Sequence, residues 1–451
     1  MKKDSTWFFE EAPASRAIAH FAIPMMIGML VFIVYNLVDM LFIGMLDDPN
    51  LIAAVTLAMP LFTLTMGLSG IFGIGAGTYI SRLLGEKNYL MAKNVSAFVC
   101  YSVIGIGIIV TALGFIFLKP ILAVLGTQAG TFNPTRDYAI IFIAGFIPIM
   151  LSFALGQIVR AEGAAKVSMM GNVIGTVSNI ILDPIFIFLF GWGLKGAAFA
   201  TVLSYLLAAL FYVFYLTQKS KFLSLKLSDF KINKEIAKPI FSIGLPAFLQ
   251  DAVVIAVSLV QNNLAAAYGD IFIAVIGVIL KVGMLPRALA RGLCMGVQPL
   301  LGYNFASLNI ERLKKIMKLT ALYSTVLGAV IFLGLFIAGA NVLKAFIKDA
   351  DIIALGTPFL RISLVSFLTY GITFLFTSLF QATGIAKPAF AMSLTLLYIF
   401  LPVLLFANYT IGIRGYAWAL PLTDILTMIL GVILYQINRK KIMAHNVLCK
   451  V

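Results

Sequence analysis

Apolar runs long enough to cross a bilayer recur from end to end of this chain, and that recurrence constrains its fold more than any motif does. A spanning helix needs about 20 predominantly apolar residues. Such stretches occupy 17–43, 51–81, 94–117, 137–159, 167–190, 196–216, 240–266, 271–302, 316–340, 355–380, 388–408 and 415–437. Of the 451 residues, 61% are hydrophobic and only 11% are charged, whereas soluble domains carry roughly 25% charged residues. Inside lipid every backbone N–H and C=O must be satisfied locally, so runs of this length read as helices. The expected fold class is an all-α membrane protein with twelve transmembrane helices. The first run is too long for a signal-peptide core and lacks a small-residue cleavage site, so it is read as retained.

A net charge of +15 invites a nucleic-acid reading, but the placement of the charges argues against it. With both termini inside, the inner loops, inner helix ends and tail hold 23 Lys and Arg, while the outer loops hold six: Lys119, Arg136, Lys195, Lys344, Lys348 and Arg414. That bias is the positive-inside rule, and it orients a multi-pass protein with cytoplasmic termini. Its partner is the bilayer, and no nucleic acid is expected. The three cysteines (Cys100, Cys294, Cys449) are odd in number and scattered, so they frame neither disulfides nor a metal site. Two histidines cannot build a His-based metal centre.

The chain repeats itself at an offset near 220. "RAEGAAK" at 160–166 returns as "QATGIAK" at 381–387, and "LKGAAFA" at 194–200 as "IRGYAWA" at 413–419. "LGEKNYLMAK" at 84–93 lines up with "FASLNIERLK" at 305–314, keeping Asn88/Asn309 and Lys93/Lys314, and Pro24 answers Pro246. Each half holds an even number of helices, so both cross the membrane in the same sense. Parallel repeats of this kind are a transporter architecture. The expected organisation is two pseudo-symmetric six-helix bundles: an N-lobe over 1–216, a basic cytoplasmic linker over 217–239, and a C-lobe with its tail over 240–451. The linker reads as a tether on which two bundles rock.

Four carboxylates fall inside predicted helices away from their first residues: Asp39, Asp183, Asp251 and Asp424. An acid at the bilayer centre costs roughly 2.5–3.5 kcal/mol on insertion scales, so each needs a partner or a function. In "NIILDPIFIF" (179–188), Asn179 and Asp183 are four apart and share a helix face. Pro184 has no N–H for the Ile180 carbonyl, which leaves a loose oxygen beside the carboxylate and a point of bending. That cluster of hard oxygens suits Na⁺, or a carboxyl that takes up H⁺. Asp39 follows Asn36 by three and also lies toward the outer side, where Thr201 of the sixth helix begins. Aligning Pro184 with Pro402 puts Leu397 and Leu401 where Asn179 and Asp183 stand, and Leu420 opposite Thr201. The polar cluster therefore belongs to the first half alone. Asp251 is read either as a second coupling acid or as a partner for Arg287 or Arg291. Asp424 is read as paired to a neighbouring helix, and Arg160 with Glu162 as a solvated inner turn. "GIGAGTYISRLLG" (73–85) lacks a phosphate-loop Lys, so its small residues are read as close helix packing.

"IPMMIG", "GAGTYISRLLGEKNY", "RAEGAAK" with "NIILDP", "QPLLGYNFAS" and "QATGIAK" together resemble the multidrug and toxic compound extrusion (MATE) exporters, in their MepA-like branch, over essentially the whole chain. The resemblance implies two six-helix lobes in a bacterial cytoplasmic membrane. It also implies outward export of cationic or amphipathic drugs against inward Na⁺ or H⁺, by a protein acting as a monomer. In the branch with its ion site in the first lobe, the family's polar positions correspond to Asp39, Asn179, Asp183 and Thr201, which would also hold Na⁺. A helix-4 polar position corresponds to Gln157. Tyr35, Asn36, Gln157 and Asp251 are then expected to line the substrate cavity, with Pro184 as hinge. The helix-7 Glu of another branch falls on Val254, so that site is absent as such.

No ATP-binding motif is present, so transport is expected to be ion-driven, without a cofactor beyond the coupling ion. The alternative is a flippase or exporter of a lipid-linked or endogenous metabolite in the same superfamily, which calls for a strongly cationic cavity. Only Lys281, Arg287, Arg291 and Arg361 lie within the predicted spans away from their inner ends. An intramembrane enzyme is disfavoured, because no nucleophile, base or metal-ligand set converges.

Overall fold

A computed structural model describes residues 5–344 and 349–443. Lys348, Cys449 and the end of the cytoplasmic tail lie outside them. Among the described residues there is no strand.

Among the described residues nine helices are long and apolar enough to cross a membrane on their own, and two bent pairs each make one further span. The last of the nine breaks at Ile411–Gly412, where Gly412 takes φ +57°, and so contributes two spans. That gives the twelve the hydropathy predicts. They are α1 (Ala14–Gly44), α2 (Pro49–Gly85), α3 (Tyr89–Ile116), α4 (Ala129–Ala144 with Phe146–Ala161), α5 (Ala165–Leu189) and α6 (Leu194–Gln218). The second half supplies α7 (Lys234–Ala266), α8 (Asp270–Ala306), α9 (Ile310–Ala338), α10 (Ala350–Leu364 with Phe367–Thr383), α11 (386–410) and α12 (413–443).

Helices α3 and α9 begin earlier than hydropathy alone predicts. Asn88 and Asn309, the pair kept by the repeat, are their N-caps, each accepting a hydrogen bond at 3.2 Å from the third backbone N–H onward. The residues just before them, Lys87 (φ 59°) and Leu308 (φ 61°), share the same left-handed turn. The two halves thus repeat their loop geometry as well as their sequence. Helix α4 bends by 53° at Gly145, where an added Cβ would run into the Val202 methyl groups of α6.

Contacts divide the chain into two compact units, one of residues 27–248 and the other of 1–26 with 249–451. The divisions fall inside α1 and α7, not at the 217–239 linker. The inner half of α7 belongs with the first-half helices because glycines admit it. A Cβ on Gly75 would strike the Ile240 carbonyl, and one on Gly244 the Ile71 carbonyl. The inner half of α1 belongs with the second-half helices by the same device: Cβ atoms on Gly292 and Gly296 would meet the backbone of Met26 and Ala22 at 2.9 and 2.6 Å. The Gly75 seat is the close packing expected of the Gly-rich 73–85 stretch.

The linker is not a loose tether. Its Ser224 exchanges two hydrogen bonds with Ser96 of α3, at 2.9 and 3.0 Å, and the Leu225 carbonyl accepts from the Tyr101 hydroxyl at 2.8 Å. Phe230 packs against Phe98 and Tyr101. Arg160 and Glu162 are buried at 4% and 3% exposure, which corrects the solvated-turn reading. The reason is that the start of the linker folds over them. One oxygen of the Glu162 carboxylate accepts from the Ser220 hydroxyl (2.6 Å) and from the Lys221 and Phe222 backbone N–H groups (both 3.0 Å).

Candidate cation-coupling site

Helix α5 carries Asn179 and Asp183 on one face, and both are almost completely buried, at 1% and 0% exposure. The Asn179 amide lies between Asp183 and Thr201 of α6, 3.3 Å from one carboxylate oxygen and 3.4 Å from the hydroxyl. With its oxygen and nitrogen exchanged, the amide donates to the other Asp183 oxygen at 2.9 Å and accepts from the Thr201 N–H at 3.2 Å. Either way Asn179 bonds the Asp183 carboxylate of its own helix and ties α5 to α6 through Thr201. Immediately after Pro184 the helix widens into a π-turn over Ile185–Leu189, closed by the Phe190 N–H on the Ile185 carbonyl at 2.9 Å. Single π-turns inside α-helices are recurrent at functional sites.

Helix α1 brings Asp39 to the same place. Its carboxyl lies beside that of Asp183, close enough for each to act on the other. Tyr35, one turn earlier on α1 and 9% exposed, shares a side-chain hydrogen bond with Thr201. Tyr138 of α4 and Tyr205 of α6 complete the surroundings, both within electrostatic reach of Asp39, and Tyr138 also of Asp183. One turn outward from the two acids, Ile43 and Ile187 join Ala54, Val55, Leu194 and Ala197 in an apolar cluster with Tyr138 at its edge.

The structure therefore brings Asp39, Asn179, Asp183 and Thr201 together, with Tyr35 beside them. It does not bring Asn36 or Gln157 there. Asn36 donates back to the Phe32 carbonyl of its own helix at 2.7 Å. Gln157 lies near the inner end of α4, accepts from Arg160 and packs on Gly73 of α2. Antiparallel helices place it about 20 Å inward of Asp183 at 1.5 Å per residue. Asp251 belongs to the other compact unit, where the Arg291 guanidinium acts on it electrostatically. Arg287 instead serves Asp424, whose carboxylate it approaches to 3.5 Å. Sequence reasoning missed Tyr138 and Tyr205. Tyr205 had a signal, since it stands four residues after Thr201 on the same helix face. Tyr138 had none, because its place follows from the bend in α4.

Comparison with known proteins now adds what geometry cannot. The sequence matches the MatE family twice, over residues 24–185 and again over 246–406, one match in each half. The chain belongs to the MatE family. Its relatives include the multidrug export protein MepA of Staphylococcus aureus (strain MSSA476), 37% identical over 442 residues, covering 98% of each chain. MepA of Staphylococcus saprophyticus subsp. saprophyticus is 36% identical over the same span. Among solved structures, an outward-facing multidrug resistance MATE family transporter of the MOP superfamily matches with TM-score 0.91 at 24% identity, over 98% of this chain and 99% of that one. The fold is thus that of the MATE transporters, and Asp39, Asn179, Asp183 and Thr201 all lie in the half that holds the first match.

Among the described residues no cluster of three or more His, Cys, Asp or Glu side chains is placed to hold a metal ion. A cation at this site would be held by two carboxylates with an amide and a hydroxyl, and it would be cargo.

Proposed function

We propose that this chain is a multidrug exporter that moves cationic or amphipathic drugs out of the cell against an inward proton flux, with the Asp39–Asp183 pair as proton carrier. The observation that carries this reading is the closeness of the two carboxyls. Two ionised carboxylates held this close in a buried site repel, so the arrangement suits a pair that shares one proton. When that proton leaves, two negative charges face each other in a buried site, and they separate or admit a cation. Asn179, Thr201 and Tyr35 hold the pair on three helices, so a change in its charge is felt by α1, α5 and α6 together. Pro184 and the π-turn after it give α5 a place to yield. The inner membrane location, with both termini cytoplasmic, agrees with the charge bias of the loops.

The relatives named MepA are multidrug export proteins, which supports a drug cargo here. A Na⁺ ion between the same oxygens is the competing outcome. The test is ethidium accumulation in everted vesicles, or ethidium transport by proteoliposomes, with pH and Na⁺ gradients imposed separately. The pH gradient alone is expected to drive it. Asp183→Asn is expected to cut coupled efflux at least about tenfold while the protein stays inserted and folded. Efflux that follows only Na⁺, or that survives in Asp183→Asn, overturns the proton-pair reading.

A further inference from the structure

We propose that Arg291, lying over the ring of Phe374, is a binding site for the carboxylate of an amphipathic substrate. This rests on the reading that the chain exports amphipathic molecules, and it assigns part of the cargo's recognition to the second half.

Helix α8 carries Arg287 and Arg291 four residues apart, and α10 carries Tyr370 and Phe374 at the same spacing. Each guanidinium lies over one ring, Arg287 at 4.7 Å from the Tyr370 centroid and Arg291 at 5.4 Å from that of Phe374. The two helices therefore form a ladder with two cationic rungs. The first rung is closed: Arg287 donates to Ser366 at 2.9 Å and lies 3.5 Å from Asp424, which also accepts from Ser366. The second rung is open. Arg291 is exposed and forms no ion pair among the described residues. The acid that acts on it, Asp251, is half-buried and reaches it through the field alone.

Depth decides what an open arginine of this kind can meet. Arg291 stands 15 residues before the end of α8 at Ala306, about 22 Å along the axis, within a hydrocarbon core about 30 Å thick. A charge at that depth faces a protein interior or a water-filled cavity, not lipid. Lipid headgroups lie at the interface, too far out to supply its anion. A guanidinium flat on an aromatic ring keeps its edge N–H groups free, and their fork fits a carboxylate with two parallel bonds.

The repeat shows that this charge is not scaffold. Offsets of 221 and 219 place Met66 opposite Arg287, Gly70 opposite Arg291, Gly145 opposite Ser366 and Tyr205 opposite Asp424. The first half has no ionised group at any of them. Each half has thus acquired its own ionic set on a shared frame: carboxyls in the first, guanidiniums in the second.

The test is binding to the purified full-length protein in detergent, read by fluorescence anisotropy with two probes that differ in one group. Rhodamine 110 carries a free carboxylate, and rhodamine 123 is its methyl ester. Arg291→Gln is expected to lower the acid-to-ester affinity ratio about tenfold or more, the loss of one charge-assisted hydrogen-bonding group. Arg291→Lys, which keeps the charge and loses the fork, is expected to fall between wild type and Arg291→Gln. Asp251→Asn, which removes the competing acid, is expected to raise the ratio. An unchanged ratio in Arg291→Gln, or equal loss of both probes, overturns the proposal. Wild type that binds only the ester also overturns it while leaving the exporter reading intact. Wild type that binds neither probe defeats both.

Discussion

At the scale of single residues, the two halves hold their buried charges by different means. Asp183 is held by neutral groups, an amide and the partner carboxyl, which leaves its protonation free to change. Asp424, 7% exposed, is held by the Arg287 guanidinium and the Ser366 hydroxyl. Removing one member of a buried pair leaves the other uncompensated and costs about 3–5 kcal/mol. Arg287→Gln and Asp424→Asn are each expected to lower the thermal midpoint in detergent by several degrees. The double replacement Arg287→Met with Asp424→Tyr installs the residues found at the matching positions of the first half, where Met66 and Tyr205 join one apolar cluster. It is expected to recover most of the loss, and a double variant no better than the singles would show that the pair is more than an ionic plug. The proximity of Asn179, Asp183, Asp39 and Thr201 was legible in the sequence, because helical spacing and matched depth are local properties. The burial of Glu162 was not. It depends on a linker some 60 residues away folding back, and nothing in "RAEGAAK" announces that.

At the scale of helices, hydropathy located every span but not their bends. The break in α4 falls inside an unbroken apolar run, so no composition signal marks it. What permits it is the absence of a side chain at Gly145 against Val202 of α6. Gly145→Ala is expected to overpack this contact, at about 1–3 kcal/mol, and to lower the thermal midpoint. Val202→Ala added to it removes the colliding methyls and is expected to restore stability. Failure of that rescue would place the role of Gly145 in its backbone freedom instead. The early starts of α3 and α9 had a signal in the duplicated Asn88 and Asn309, which apolar counting alone does not see. The bend has a functional consequence as well, since it is the outer piece of α4 that delivers Tyr138 to the carboxyls.

At the scale of the whole chain, the segment that joins the halves is an anchored strap. Glu162 gathers the Ser220 hydroxyl and the Lys221 and Phe222 N–H groups, so Glu162→Ala leaves three donors without their acceptor. Losing an acceptor of this kind costs about 1–3 kcal/mol locally. Trypsin is therefore expected to cut at Lys219, Lys221 or Lys226 about tenfold faster or more in Glu162→Ala than in wild type, read as the rate at which the full-length band is lost. Equal rates would mean that Ser96, Tyr101 and Phe98 hold the strap unaided. The positive-inside bias predicts an orientation, and the repeat announces the duplicated plan, matched once in each half. Neither could show that each compact unit takes a piece of the other half's first helix. That exchange depends on the glycine seats, whose partners lie far off in sequence.

The seats impose an order on synthesis. Neither unit is complete when its own half of the gene has been read. The first cannot close until the ribosome has passed Gly244, just inside the second half. Residues 14–26, the first transmembrane stretch to leave the tunnel, have no lasting neighbour until Gly292 and Gly296 have followed them into the membrane. For most of its birth the protein is therefore a row of inserted helices with two empty berths, kept apart by the insertion machinery and lipid. A polypeptide cut at the linker would release two fragments, each lacking the helix segment the other holds.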